Sequence, residues 1–107
     1  MNHRIYIKDW TTLPGARFRK EGPGSAEEFR DEHLLPLLEY CVNRDELLYV
    51  HLDGCAGFAT SFLEEVFGGT RRRSDWRASK VRIVCDEDPA IAEIARRFLS
   101  EESAIFG

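Results

Sequence analysis

Closely spaced cysteine pairs are absent from this sequence of 107 residues, and its three cysteines lie far apart. Cys41, Cys55 and Cys85 form no CxxC pair, which excludes a zinc ribbon and a thioredoxin-like motif. Free cysteines in helix and strand patterns behave as small buried hydrophobes. This usage is typical of the reducing cytoplasm, where we expect the protein to be located.

Long hydrophobic runs are absent as well. No stretch approaches the length needed to span a bilayer, and residues 1–9 contain no apolar signal core. Acidic residues outnumber basic ones by 19 to 15, and the net charge of -4 argues against nucleic-acid binding across the whole surface. The length suffices for one packed core, so we expect a single domain, residues 1–107, without membrane association.

Signatures of catalysis are missing too: the sequence contains no P-loop, no dinucleotide fingerprint and no Ser-His-Asp signature. The acidic groups at 27–32 and 86–88 fall in a helix first turn and in a strand-to-helix loop, where the helix dipole favours carboxylates without catalysis. An enzyme would need a pocket with perturbed carboxylates, which no pattern indicates. We therefore expect a non-enzymatic protein without a cofactor.

A metal site is also not expected. His51, Asp53 and Cys55 alternate along a strand pattern and are all ligand types. Ligands spaced two apart on one strand rarely close a tetrahedron, and no fourth ligand is evident. A buried histidine with a hydrogen-bonded partner is the better interpretation of His51.

The most informative stretch runs from residue 47 to residue 69 and has the pattern of a buried strand, a turn and a helix. Gly54 and Gly57 provide the turn. Ser61, with Glu64 three residues later, has the spacing of a capping box, which predicts a helix over about 62–67 that Gly68-Gly69 ends. Since a helix N-terminus favours anions, Thr60 and Ser61 are the first candidates for a site.

The other elements follow from strand alternation, caps and turns. The pattern predicts further strands at 4–10, 16–20 and 81–85, the first two joined as a hairpin. It predicts helices that begin after the caps Ser25 and Asp88, with a kink or break at Pro36. The order β-β-α-β-α-β-α predicts an α/β fold with a central mixed sheet of about four strands and helices packed on it.

This order and several short motifs resemble the STAS-like domains, and in particular a STAS-like family of unassigned function related to bacterial anti-sigma-factor antagonists. The likeness covers about residues 5–99. Its motifs are Gly15-Ala16-Arg17, Glu21-Gly22 with Ser25, Glu27, Phe29 and Arg30, and Leu52-Asp53-Gly54 followed by Thr60-Ser61-Phe62-Leu63 and Glu65.

The resemblance implies a regulatory module that binds another protein. In the antagonists a partner kinase phosphorylates the hydroxyl at this place, so Ser61, with Thr60 beside it, is the phosphorylation candidate. The partner implied is a histidine-kinase-type ATPase or an anti-sigma-like switch protein. Ala59 and Phe62 stand where antagonists typically carry Asp and Gly. The alternative role of Ser61 is that of a helix cap alone.

A partner surface is expected around 58–65. Phe58, Phe62 and Phe67 cannot all be buried on a short helix, and an exposed aromatic with a polar rim is a contact point. The predicted partner-binding residues are Phe58, Phe62, Glu65 and Asp53. The alternative function is a nucleotide- or small-anion-binding sensor whose ligand phosphate lies at Thr60 and Ser61.

A basic loop forms the remaining candidate. It contains one aromatic residue, Trp76, and the arginines Arg71, Arg72, Arg73 and Arg77. This composition suits phosphate, nucleic acid or an acidic protein, and the alternative is a solvated, mobile loop.

Overall fold

Three parallel strands form the centre of the computed structural model, which describes residues 2–100 apart from the side chain of Asp75. They are β1 (His3–Tyr6), β2 (Leu48–His51) and β3 (Val81–Val84), with β2 in the middle. The register aligns Ile5 with Val50 and Val50 with Ile83. Leu48 and Val50 on β2 are fully buried on one face of the sheet, whereas Tyr49 and His51, on the opposite face, are only half-buried.

The first crossover contains a helix in three segments: α1 (Ala26–Phe29), a π turn (Arg30–Leu34) and α2 (Leu35–Asn43). The predicted cap is confirmed, since the Ser25 hydroxyl accepts the main-chain N–H of Glu28 at 3.2 Å.

Pro36 does not break this helix. The π turn ends directly before it, and the N–H of Leu35 bonds to the carbonyl of Arg30, five residues back. Because hydrogen bonds in a π turn skip one residue more than in an α-helix, the chain passes Pro36 without the carbonyl clash of a regular helix. The structure therefore has a π turn directly before Pro36 and no break of the helix at Pro36.

The second crossover contains α3 (Thr60–Leu63), a second π turn (Glu64–Gly68), α4 (Gly69–Ser74) and a 3₁₀ segment (Asp75–Lys80). The prediction that this helix ends at Gly68-Gly69 is wrong, because Gly69 has helical dihedrals, φ -62° and ψ -41°.

Side-chain packing explains the glycine at position 69. A Cβ there would lie 2.5 Å from Nη1 and 2.9 Å from Cδ of Arg30. At Gly68 a Cβ would meet the carboxylate of Glu64 and Nη1 of Arg72. The two glycines therefore make room for charged side chains, and they do not terminate the helix.

The predicted strand at 16–20 is absent. Residues 11–24 form no strand in the structure, and Arg19–Glu21 is a 3₁₀ turn. The carbonyls of Ala16 and Arg17 accept the N–H groups of Ala26 and Glu27, at 2.9 and 3.0 Å. This segment therefore satisfies the free donors at the start of α1, where a hairpin strand would have paired with β1. The sheet is accordingly parallel and three-stranded, not mixed and four-stranded.

The last helix, α5 (Pro89–Leu99), begins as predicted, because Asp88 accepts the N–H of Ala90 at 3.2 Å. All three cysteines are free, and Cys41 and Cys85 are buried. Within residues 2–100, no helix has both the length and the apolar character needed to cross a membrane.

Candidate functional site

The carboxyl ends of the three strands meet at one edge of the sheet, because the strands are parallel. In open α/β sheets, ligands usually bind outside this edge at a reversal of strand order, which the order β1-β2-β3 does not contain. Here β1 is followed by Ile7, β2 by residues 52–59 and β3 by residues 85–88. Thr60 and Ser61 lie at the end of the loop after β2 and form the first turn of α3.

Asp53 ties the loops after β2 and β3 together. Its carboxylate accepts the main-chain N–H groups of Asp86 and Glu87 at 3.1 and 2.8 Å. The pKa of Asp53 lies below its usual value, mainly because the carboxylate accepts the main-chain hydrogen bond from Glu87. Gly54 donates its N–H to the Glu87 carboxylate at 3.2 Å. Asp53, predicted as a partner contact, is engaged as a clamp between the two loops.

The same loop is joined on its other side to residues 11–14. The N–H groups of Ala56 and Ala59 donate to the carbonyls of Thr12 and Pro14 at 2.8 and 3.1 Å. Leu13, which is 74% exposed, lies between the two acceptor residues, and Phe58 lies between the two donor residues. Phe58 is half-buried, with its ring centroid 6.1 Å from that of Phe62. We call Leu13 and Phe58 together the apolar ridge.

The prediction that Phe62 contacts a partner requires an exposed side chain, but Phe62 is buried. Phe62 and Phe67 are both completely buried in the core. The helical segment from 60 to 74 is longer than predicted, and it offers enough apolar surface to bury both rings.

The predicted capping box at Ser61 is also wrong. The helix begins two residues earlier than predicted, with Ala59 in the cap position and no side-chain cap bond. Ser61 is half-buried within the first turn, and Thr60 is exposed. Glu64 does not reach back to the cap, because Arg17 and Arg72 bind its carboxylate at 2.6 and 2.7 Å.

Glu65 is a core residue, 8% exposed, and not a surface contact. Arg17 donates to its carboxylate at 2.8 Å, and Arg30, 2% exposed, donates to the other carboxylate oxygen. Burial by itself would raise the pKa of Glu65, but the hydrogen bonds from Arg17 and Arg30 outweigh it and lower the pKa. The carboxylate is therefore charged and neutralised by two guanidinium groups.

This charge cluster was not foreseen from the sequence. Arg17, Arg30 and Glu65 lie in three separate motif segments and meet only in the fold. The one trace of it in the sequence is the Gly68-Gly69 pair, over which the charged side chains lie.

The basic segment is not a loop. Arg71, Arg72 and Arg73 belong to α4, and Arg77 lies in the 3₁₀ segment, where it donates to the carbonyl of Ser74 at 3.0 Å. Trp76 is exposed.

His51 is half-buried, and its ring stacks on Tyr6 at a centroid distance of 4.4 Å. Arg4 lies 2.8 Å from its Nε2. Burial, and then the charge of Arg4, lower the pKa of His51. Among the side chains that the structure describes, no group of three or more His, Cys, Asp or Glu residues is arranged to hold a metal ion.

Chemically, this edge of the sheet offers a hydroxyl that can accept a phosphoryl group and apolar side chains that a partner can bury, while the charges behind them are paired. No family model matches the chain, and comparison with curated proteins and with solved structures finds no significant match.

Proposed function

We propose that this chain is a STAS-like regulatory module that binds another protein through the apolar ridge, and that phosphorylation of Ser61, or of Thr60 beside it, switches this binding. The module acts without catalysis. By the resemblance of its motifs, the partner is a histidine-kinase-type ATPase or an anti-sigma-like switch protein, met in the cytoplasm.

One observation carries the proposal: two cross-loop hydrogen bonds join the segment that contains the exposed Leu13 to the segment that contains Phe58. Burial of a large exposed apolar side chain by a partner is favourable. Because main-chain hydrogen bonds already join the two segments, less conformational entropy is lost on binding than for unconnected segments. Thr60, two residues after Phe58, places an exposed hydroxyl beside this surface.

The charge cluster makes phosphorylation at Ser61 acceptable. Glu64 and Glu65 are one helical turn from Ser61, and as free carboxylates they would repel a phosphate. Arg17 neutralises both, with help from Arg72 at Glu64 and from Arg30 at Glu65. A phosphoryl group on Ser61 would therefore change the charge beside the ridge without strong local repulsion.

The convergence of motif residues also supports the STAS-like assignment. Arg17, Arg30 and Glu65 come from separate motif segments and form one cluster, which gives these short motifs a shared structural purpose. A free anion at Thr60 and Ser61, the alternative function, is less favoured. Arg17, from the 11–24 segment, is already held by the carboxylates of Glu64 and Glu65, one helical turn after Ser61.

Co-purification from the native host tests the proposed binding. The tagged wild-type chain and the control Tyr40→Asp, an exposed side chain on α2, are expected to recover the same switch ATPase or sigma-regulator protein. Leu13→Asp is expected to lose it, because the substitution places a charge on the ridge. Recovery of the free chain only, or equal recovery by Leu13→Asp, would contradict the proposal.

Mass spectrometry of the chain from the same cells tests the switch separately. We expect a population with the mass of one added phosphoryl group, located on Ser61 or Thr60 by fragmentation. If no growth condition gives that species, the switch is wrong even where a partner is found.

A further inference from the structure

A basic cleft of about 720 Å³ lies where β3 begins, at the opposite end of the strands from the apolar ridge. Four arginines line it, together with Trp76, and none of the described residues that line it is acidic. The arginines are Arg71, Arg72, Arg82 and Arg96. They come from α4, β3 and α5, so the fold concentrates positive charge here in a chain whose net charge is -4.

Three of these guanidinium groups are held by main-chain oxygens. They donate to main-chain carbonyls: Arg71 to Phe98 at 3.3 Å, Arg82 to Ser79 at 2.6 Å and Val81 at 3.1 Å, and Arg96 to Ile83 at 2.9 Å. None of the three forms an ion pair with a carboxylate that the structure describes, whereas Arg72 is paired with Glu64. Carbonyls orient a guanidinium without cancelling its charge, and each arginine has further N–H groups to offer.

The arginines are therefore positioned in advance for an anion. A cluster of like charges around a cleft is self-repulsive, and a bound phosphate would relieve that repulsion. Guanidinium groups match phosphate oxygens in geometry, which makes phosphate the anion that this arrangement fits best.

Trp76 adds a second kind of contact. Its side chain is 65% exposed on the 3₁₀ segment at the wall of the cleft. An indole face exposed beside cations is suited to stack on a planar ring, and nucleobases stack on tryptophan regardless of their identity. The cleft volume is in the range of small-molecule sites, about 300–1,000 Å³.

We propose that this cleft binds a nucleotide, with its phosphates on Arg71, Arg82 and Arg96 and its base on Trp76. The site is independent of the proposed protein-binding function, because it lies at the other end of the strands. The shared chemistry is a phosphate ester next to a nucleobase, and its source is a free nucleotide or a single-stranded nucleic acid.

Titration calorimetry at low salt, on the chain with ATP, with inorganic triphosphate and with a short single-stranded oligonucleotide, tests the proposal. Arg82→Gln is expected to weaken ATP binding about tenfold or more, because it removes a charge-assisted contact. Trp76→Ala is expected to weaken ATP binding about tenfold and to leave triphosphate binding unchanged. Arg97→Gln is the matched control, since Arg97 neighbours Arg96 on α5 but pairs with Glu93 outside the cleft.

ATP or the oligonucleotide is expected to bind more tightly than triphosphate, and Arg82→Gln but not Arg97→Gln is expected to weaken this binding. That result supports the site, and the tighter of the two ligands identifies the source. Absence of binding for all three ligands overturns it. Equal losses in Arg82→Gln and Arg97→Gln indicate non-specific attraction and overturn it as well. Equal affinity for triphosphate and ATP, unchanged in Trp76→Ala, contradicts the role of the base. Thermal melts of each variant verify that folding is intact.

Discussion

Arg30 and Glu65 form an ion pair inside the molecule, and each belongs to one of the two π turns. Arg30 begins the turn 30–34, and Glu65 lies in the turn 64–68. Nη1 of Arg30 also donates to the main-chain carbonyl of Glu65 at 3.2 Å. The pair therefore joins the two helical crossovers at their irregular turns, where the chain departs from α-helical geometry.

Removal of one partner of this pair should destabilise the protein strongly. Arg30→Met leaves the Glu65 carboxylate buried, with Arg17 as its remaining hydrogen-bonded cation. We expect a loss of about 3 kcal/mol in the free energy of unfolding, measured with urea. Arg73→Gln, an exposed arginine 3.9 Å from Asp31, should lose less than about 0.5 kcal/mol. A similar effect in both variants would contradict the structural importance of the pair.

Gly69 lies inside a helix, and its missing side chain leaves room for Arg30. Gly69→Ala would ordinarily stabilise a helix by about 1 kcal/mol. Here we expect it to destabilise by about 2 kcal/mol, because the new Cβ meets the Arg30 guanidinium. In an Arg30→Ala background the same change should become neutral or stabilising. Additive effects in this double-mutant cycle would show that the close approach is not responsible.

Ser25 and Ser61, each at the start of a helix, should contribute differently to the free energy of unfolding. Ser25 caps its helix by a hydrogen bond from Glu28, so Ser25→Ala should lower the free energy of unfolding by about 1 kcal/mol. Ser61 makes no cap bond, so Ser61→Ala should change it by less than about 0.5 kcal/mol. A loss at Ser61 as large as that at Ser25 would restore the capping role expected from the sequence.

Acid should weaken the fold through Glu65 and Asp31. Both carboxyl groups have pKa values lowered in the folded state, where hydrogen bonds from arginines outweigh burial. The unfolded chain therefore takes up protons first, and the free energy of unfolding should fall as the pH drops below about 4.5 towards the lowered pKa values. Glu65→Gln should flatten this decline in denaturant titrations at several pH values. If the free energy of unfolding of Glu65→Gln falls with pH as steeply as that of the wild type, Glu65 is not a cause of the acid sensitivity.

The clamp at Asp53 should be visible in hydrogen exchange. Asp53→Ala removes the acceptor for the N–H groups of Asp86 and Glu87, so both amides should exchange faster than in the wild type. Asp86→Asn, on the exposed loop itself, keeps that acceptor and serves as the control. Equal exchange at residues 86 and 87 in all three proteins would mean that the loops are held by other contacts.

Local chemistry could be predicted from the sequence, and long-range packing could not. Ser25 and Asp88 cap their helices as expected because a cap depends on residues within one turn. Ser61 has the same local pattern, but Glu64 is taken by Arg17, which is 47 residues away in the sequence. The segment 16–20 has a strand-like pattern, yet the carbonyls of Ala16 and Arg17 accept N–H groups at the start of α1. In each case a tertiary partner decided between two locally acceptable structures.

The basic cleft illustrates the same limit. Arg71 and Trp76 attract attention in the sequence because they lie close together, whereas Arg82 and Arg96 lie in separate elements and have no local pattern. Only the packing of α5 beside β3 brings them to one cavity. Conversely, Arg72 and Arg73, which look the same as Arg71 in the sequence, face carboxylates.

Photo-crosslinking from position 13 in cells of the native host tests the central claim most directly. With a benzoyl-phenylalanine in place of Leu13, we expect one discrete adduct with a switch ATPase or sigma-regulator protein, and none from the same probe at Tyr40. The additional change Ser61→Glu, which mimics the phosphate charge, should alter the yield of that adduct by severalfold. Equal adducts from positions 13 and 40, or no adduct at 13, would contradict binding at the ridge, and a yield unaffected by Ser61→Glu would contradict the switch.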